Sequence, residues 1–197
     1  LVETGIETDR LFTSVMTDHG KLGKSLADAV IQGKAVKVGI LSGNQSQLGM
    51  RQRLKSVKDN LAEAGIEISW ILSEKELDKK MRNVEYFTEN PVDAVISLEN
   101  DDTEKAVDII LNHDSISWKL YGEGRSEKLI YYLDKGTIQE LAVPNEYYMG
   151  YQSIVLAAQN IRYYTDKTER ADVEFYMVSR DDLYAEETSR ILFPTVR

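Results

Sequence analysis

Cysteine is absent from the 197 residues, which excludes disulfides, thiol nucleophiles and cysteine-bound metals. That absence leaves the compartment open. Histidine is nearly absent too: His19 and His113 sit in polar stretches, and neither is expected to bind metal or to act as an acid–base group. There is no basic run, and the formal net charge is -9 with a pI near 4.9. Unaided nucleic-acid binding is therefore excluded, because neutralising phosphates needs a clustered basic surface. No apolar run is long enough to span a membrane, and no signal-peptide pattern is present. Because the chain starts at Leu1 rather than Met, processing or cutting from a longer protein is expected, and an anchor could have been lost with the removed part.

The motifs of common enzyme chemistry are missing as well. The loop Gly43-Asn44-Gln45-Ser46-Gln47-Leu48-Gly49 is no phosphate loop, since no Lys-Ser/Thr follows its last glycine. The acidic run Glu99-Asn100-Asp101-Asp102 lacks the spacing of a calcium loop. Neither a nucleophile elbow nor a dinucleotide fingerprint occurs. No cofactor and no metal are expected, and the chain reads as a non-enzyme. A small acid–base isomerase or hydrolase using Glu99 and Glu123 is the alternative from another class.

What is present centres on Lys37–Val57. Val36, Val38, Ile40 and Leu41 suit a strand covered on both faces. The Gly43–Gly49 loop turns the chain, and Met50, Leu54, Val57, Leu61 and Ala64 then recur on one helical face. A helix from Gly20, carrying Leu22, Leu26, Ala29 and Val30, precedes this unit. Further strands are expected over residues 66–72, 93–98, 116–122, 137–143 and 173–178. Between them lie helices over residues 74–87, after Asp102 and over 127–133. A last helix follows Asn145, with Tyr147, Tyr151, Ile154, Val155, Ala158 and Ile161 as its buried face. Alternation of this kind predicts an α/β fold: a doubly wound, mainly parallel sheet of five or six strands flanked by helices, with right-handed crossovers. Ligands of such sheets bind at the strands' carboxyl ends. The loops there would bring Gln45, Arg53, Glu99, Asn100, Glu123, Arg125 and Asn145 to one edge.

The ordered motifs over residues 15–162 resemble the type I periplasmic-binding-protein superfamily, which includes ribose-type receptors and the ligand-binding cores of lactose-repressor-like regulators. Four matches carry the resemblance: Asp18 with Leu22-Gly23-Lys24; Leu41-Ser42-Gly43 followed by Arg51-Gln52-Arg53; Asp93-Ala94-Val95-Ile96 with Glu99-Asn100-Asp101; and Tyr121-Gly122-Glu123-Gly124, Leu133–Ile138 and Gly150-Tyr151 in the closing order. The resemblance implies the carboxyl-terminal lobe of a two-lobed binding protein, with most of the first lobe missing. Residues 1–19 would come from the hinge or first lobe, 20–164 would form the ligand-binding lobe, and 165–197 would be a hinge return strand and tail. In that division the strand 173–178 would return to the first lobe.

The resemblance also implies a site. Arg53 falls where the family's second arginine donates to sugar hydroxyls, a task suited to a planar fork of donors. Glu99 falls on the family's asparagine and Asn100 on its aspartate. The family's cleft aspartate falls on Gly124, or on Glu123 with a one-residue shift, and its last glutamine falls on Pro144 beside Asn145. Arg53, Glu99, Asn100, Glu123, Arg125 and Asn145 are thus the candidate ligand-binding residues, and the changed positions leave a polar small molecule, of carbohydrate type, as the implied ligand. The implied partners are the missing first lobe and a membrane permease or sensor, without direct nucleic-acid contact; a homodimer is an open alternative. An extracytoplasmic location is implied for a receptor, and a cytoplasmic one for a regulator core. A lobe without ligand that acts in assembly is the remaining reading.

Overall fold

A computed structural model describes residues 2–3, 13–163 and 170–193. Its main sheet has six strands in the order β3-β2-β4-β5-β6-β8. These are β2 (Lys37–Leu41), β3 (Glu67–Leu72), β4 (Ala94–Ser97), β5 (Lys119–Glu123), β6 (Ile138–Pro144) and β8 (Phe175–Ser179). All neighbours pair in parallel except β6 and β8. A second, two-stranded sheet pairs β1 (Val15–Thr17) with β7 (Ala171–Val173), and Val2 bridges to Val15.

Side chains alternate across the main sheet, as the pleat requires. Val38, Ile40 and Ile96 go into a core with Leu22, Leu26 and Val30 of α1 (His19–Gln32) and Val57 and Leu61 of α2 (Leu48–Glu63). Leu41, Val95 and Leu120 go to the opposite core, under α3 (Glu74–Lys80), α4 (Glu85–Glu89), α5 (Asn100–Asn112), α6 (Glu127–Asp134) and α8 (Glu186–Leu192). Asp18 caps α1 by accepting the Lys21 N–H at 3.0 Å. α1 and α2 approach closely at Gly23, where a Cβ would lie 2.5 Å from the Arg53 carbonyl oxygen.

Three expectations require correction. The helix over 74–87 is two helices, because the chain turns at Arg82–Val84 and inserts Phe87 between Trp70 and Trp118, with centroids 5.7 and 5.1 Å away. Here packing overrides propensity. The strand over 173–178 is likewise two strands. β7 joins β1, and β8 pairs antiparallel with β6 at the edge of the main sheet.

The third correction concerns α7 (Glu146–Tyr163). Its expected buried face lies in solvent: Tyr147, Tyr151, Ile154 and Ile161 are all more than half exposed, and Ala158 is exposed too. The helix instead docks through Met149 and Leu156 onto Val15 and Val173 of the small sheet. Met149 and Leu156 share their face with polar Gln152, Ser153 and Asn160, so periodicity points to the other side of the helix.

Gly23→Ala is expected to destabilise the chain by about 1–3 kcal/mol, since backbone must move to admit the methyl group. Ile161→Asp, on the exposed side of α7, should cost under about 0.5 kcal/mol. Urea denaturation of both variants checks the contrast.

Candidate functional site

Arg53 is the expected site residue whose setting differs most from a surface arginine. It lies on the inner face of α2, one turn from the loop after β2, and is only 2% exposed. Every branch of its guanidinium is engaged. Nε donates to His19 Nδ1 at 3.1 Å, Nη1 to the Leu98 carbonyl at 2.7 Å, and Nη2 to Glu3 Oε1 at 3.1 Å. Glu123 Oε2 stands 3.5 Å from Nη1, at the end of β5. A buried charge needs such pairing, because desolvation otherwise exceeds the Coulomb gain.

His19 and Glu3 were not foreseen as members of this cluster. His19 begins α1 rather than sitting in a loop, and it is buried. Burial, with the Arg53 charge beside it, lowers its pKa, so neutral imidazole accepts the Arg53 proton. Its Nε2 points toward Gly49 of α2 and has no partner among the described residues. Glu3 lies in an opening segment that has no periodicity, so no pattern pointed to it. Its Oε2 accepts from the Thr17 N–H at 2.8 Å and from Thr17 Oγ1 at 3.1 Å.

The other expected residues divide into two groups. Glu99 and Glu123 stand at the carboxyl ends of β4 and β5, on the edge that Arg53 reaches. Glu99 Oε2 accepts the Asn44 N–H at 3.2 Å beneath Gly43, whose φ of +63° lets the loop close over it. Burial pushes the Glu123 carboxyl up to about 7, with Arg53 opposing and Glu3, Glu146 and Glu99 reinforcing the rise. Asn100, Arg125 and Asn145 do structural work. Asn100 Oδ1 accepts from the Arg125 and Ser126 N–H groups, at 3.1 and 3.4 Å, tying the β5 loop to α5. Asn145 Oδ1 caps α7 through the Tyr148 N–H at 3.0 Å. Arg125 pairs with Glu146 at 3.1 Å and donates to the Ile191 carbonyl. Gln45 Nε2 donates to the Ser42 carbonyl within its own loop.

So Arg53, Glu99, Glu123, Asn100 and Arg125 stand at one edge of the sheet, with the guanidinium buried against Glu123. No group of three or more His, Cys, Asp or Glu among the described residues could hold a metal ion. A groove of about 680 Å³ between α6 and α8, lined by Ile130, Tyr131, Tyr184 and Phe193, shares only Arg125 with this edge.

The chain from residue 2 to 164 matches the family described as "Periplasmic binding protein domain". It belongs to that family. No curated protein sequence matches it. Among solved structures, it is similar to a carbohydrate-transporter solute-binding protein from Agrobacterium radiobacter in complex with D-arabinose. The TM-score is 0.86 at 17% identity, over 97% of this chain and 69% of that one. It is similar to GanP, a glucose-galactose binding protein from Geobacillus stearothermophilus, with TM-score 0.83 and 21% identity over 93% of this chain and 68% of that one. A protein from Bacteroides fragilis described as a candidate LacI transcriptional regulator has TM-score 0.78 at 13% identity, over 92% of this chain and 66% of that one. At these identities the likeness establishes the fold, and about a third of each relative has no counterpart here.

Just beyond the edge, Asp102 is buried in the first turn of α5, 3.4 Å from Lys105, and its Oδ2 has no partner among the described residues. Burial raises its carboxyl pKa from 3.8 to about 6, with Lys105 opposing. Both Asp102 and Glu123 therefore hold protons in the folded state that the unfolded chain has lost. Stability should fall as pH rises from about 4 to 7, by up to about 3 kcal/mol for Asp102 alone. Asp18, Glu76 and Asp93, whose pKa values are lowered, contribute the opposite slope at the acid end of this range. His19, whose lowered pKa leaves the unfolded chain binding the extra proton below about 6.5, opposes the loss within it. Urea unfolding at pH 5 and pH 8 should show the loss, and Asp102→Asn should reduce it.

Proposed function

We propose that this chain is the ligand-binding lobe of a solute-binding receptor in a transport or sensing system, taking a polar, carbohydrate-type small molecule at the carboxyl edge of its sheet. The observation that carries this reading is the meeting of Glu99, Glu123 and Arg53 at that edge in a periplasmic-binding-protein fold. Glu99 and Glu123 accept ligand hydroxyls, Arg53 fixes their geometry from behind, and Arg125 and Asn145 stand at the rim. Proteins of the same fold with D-arabinose, D-fucose and myo-inositol bound support the class.

A single lobe offers one wall of a cleft. The exposed apolar side of α7 and the two-stranded β1–β7 sheet are the surfaces on which a first lobe would rest, and hinge closure would bring its wall over the ligand. This reading places the receptor outside the cytoplasm and gives it a permease or sensor as partner. No helix among the described residues is long and apolar enough to cross a membrane. The likeness to the Bacteroides regulator favours a second reading, the effector-binding core of a transcription regulator. In that case the same edge takes the effector.

Thermal denaturation against millimolar pentoses, hexoses, polyols and sugar acids tests the proposal. A binding sugar should raise the melting temperature with concentration, and Glu99→Ala should weaken that response about tenfold or more. A well-folded chain that responds to none of these compounds would refute it.

A further inference from the structure

The Glu3 carboxylate is held as a bound anion would be held. Three donors from two different elements converge on it. Arg53 Nη2 meets Oε1 at 3.1 Å, and the Thr17 N–H and Oγ1 meet Oε2 at 2.8 and 3.1 Å. Arg53 and Thr17 are fully buried, whereas the Glu3 side chain is one-third exposed. The donors are thus fixed by the core, and the acceptor reaches them from the solvent side.

Glu3 is also the replaceable member of the cluster. Its segment is attached at the Val2–Val15 bridge and by the Glu3 N–H donating to the Val15 carbonyl at 2.8 Å. Its backbone has φ of +53°, the left-handed region that an L side chain rarely adopts. When Glu3 leaves, Arg53 keeps the neutral acceptors His19 and the Leu98 carbonyl, with Glu123 3.5 Å away. The charge count then favours one incoming carboxylate. Arg53 carries one positive charge, and the buried Glu123 carboxyl retains much of its proton near neutrality.

We propose that Arg53 Nη2 with the Thr17 N–H and Oγ1 forms a receptor for a ligand carboxylate, which Glu3 fills in this structure, so that the ligand of this lobe is a sugar acid rather than a neutral sugar. The proposal rests on the binding-lobe reading for the sugar part and on the Glu3 geometry for the carboxylate part. It makes Glu3 the residue that sets affinity. A neutral hydroxyl must displace a charge-assisted acceptor with a weaker one, while a carboxylate replaces like with like.

Two measurements test it. The first uses acetate alone. Glu3→Ala opens the three-donor receptor, and acetate should then raise the melting temperature of this variant in a saturable way while leaving the original chain unchanged. Formate should do the same, and chloride at equal ionic strength should not. Circular dichroism confirms that the variant is folded, and Glu3→Gln, which keeps the side-chain volume, serves in its place if it is not. The second compares galacturonate with galactose, and glucuronate with glucose, by calorimetry.

The sugar acid should bind the original chain about tenfold more tightly than its neutral parent, and Glu3→Gln should increase that preference. Failure of acetate to stabilise the folded Glu3 variants overturns the receptor. Galactose binding as tightly as galacturonate overturns the ligand assignment while leaving the binding-lobe reading intact. Acetate rescue with no response to any sugar supports the receptor and refutes the carbohydrate reading.

Discussion

The structure depends on one buried guanidinium. Arg53 is as inaccessible as the leucines around it, and a charge in that position requires partners from every direction. Those partners come from distant stretches of chain: residue 3, the start of α1, the end of β4 and the end of β5. Satisfying one side chain therefore fixes the relative height of two strands and a helix at the carboxyl edge. Gly23 lets α1 lie close enough to α2 for His19 to reach Arg53 Nε, and Gly49 leaves room for its imidazole. The edge is rigid because the arginine behind it has no unassigned donor branch.

The alternation of strands and helices was legible because each β-strand is short, apolar and bounded by polar turns, and because α1, α2 and α5 each carry one apolar face. The failures have a common cause. Periodicity reports which residues prefer burial, not what covers them. On α7 it points to Tyr147, Tyr151, Ile154 and Ile161, whereas among the described residues the apolar packing is made by Met149 and Leu156. Over 74–87 the helical spacing is real, but Phe87 contributes more by sitting between two tryptophans than by extending a helix.

The site was legible in part. Arg53, Glu99 and Glu123 follow from resemblance and topology, and the structure brings them to one edge. Asn100 and Asn145 illustrate an ambiguity inherent in asparagine after a strand, since a side-chain amide there can cap a helix or meet a ligand. Here the Asn145 oxygen caps α7, and the Asn100 oxygen ties the loop after β5 to α5. Glu3 could not be found from sequence because its role depends on pairing across fifty positions, and nothing in the polar opening segment singles it out from its neighbours.

Electrostatic cost is distributed unevenly over this molecule. Away from the carboxyl edge the two cores are apolar and the charges are paired on the surface, as between Lys24 and Asp28 or Lys128 and Asp108. At the edge, Glu123 and Asp102 hold protons that free carboxyl groups would have lost, His19 is kept neutral, and Glu3 occupies left-handed backbone. Each of these lowers stability, and each lies at or beside the carboxyl ends of β2, β4 and β5. A core selected for stability alone would bury leucine in place of Arg53. Retaining the arginine keeps oriented donors and acceptors at the edge of the sheet, which is what recognition of a small polar molecule demands.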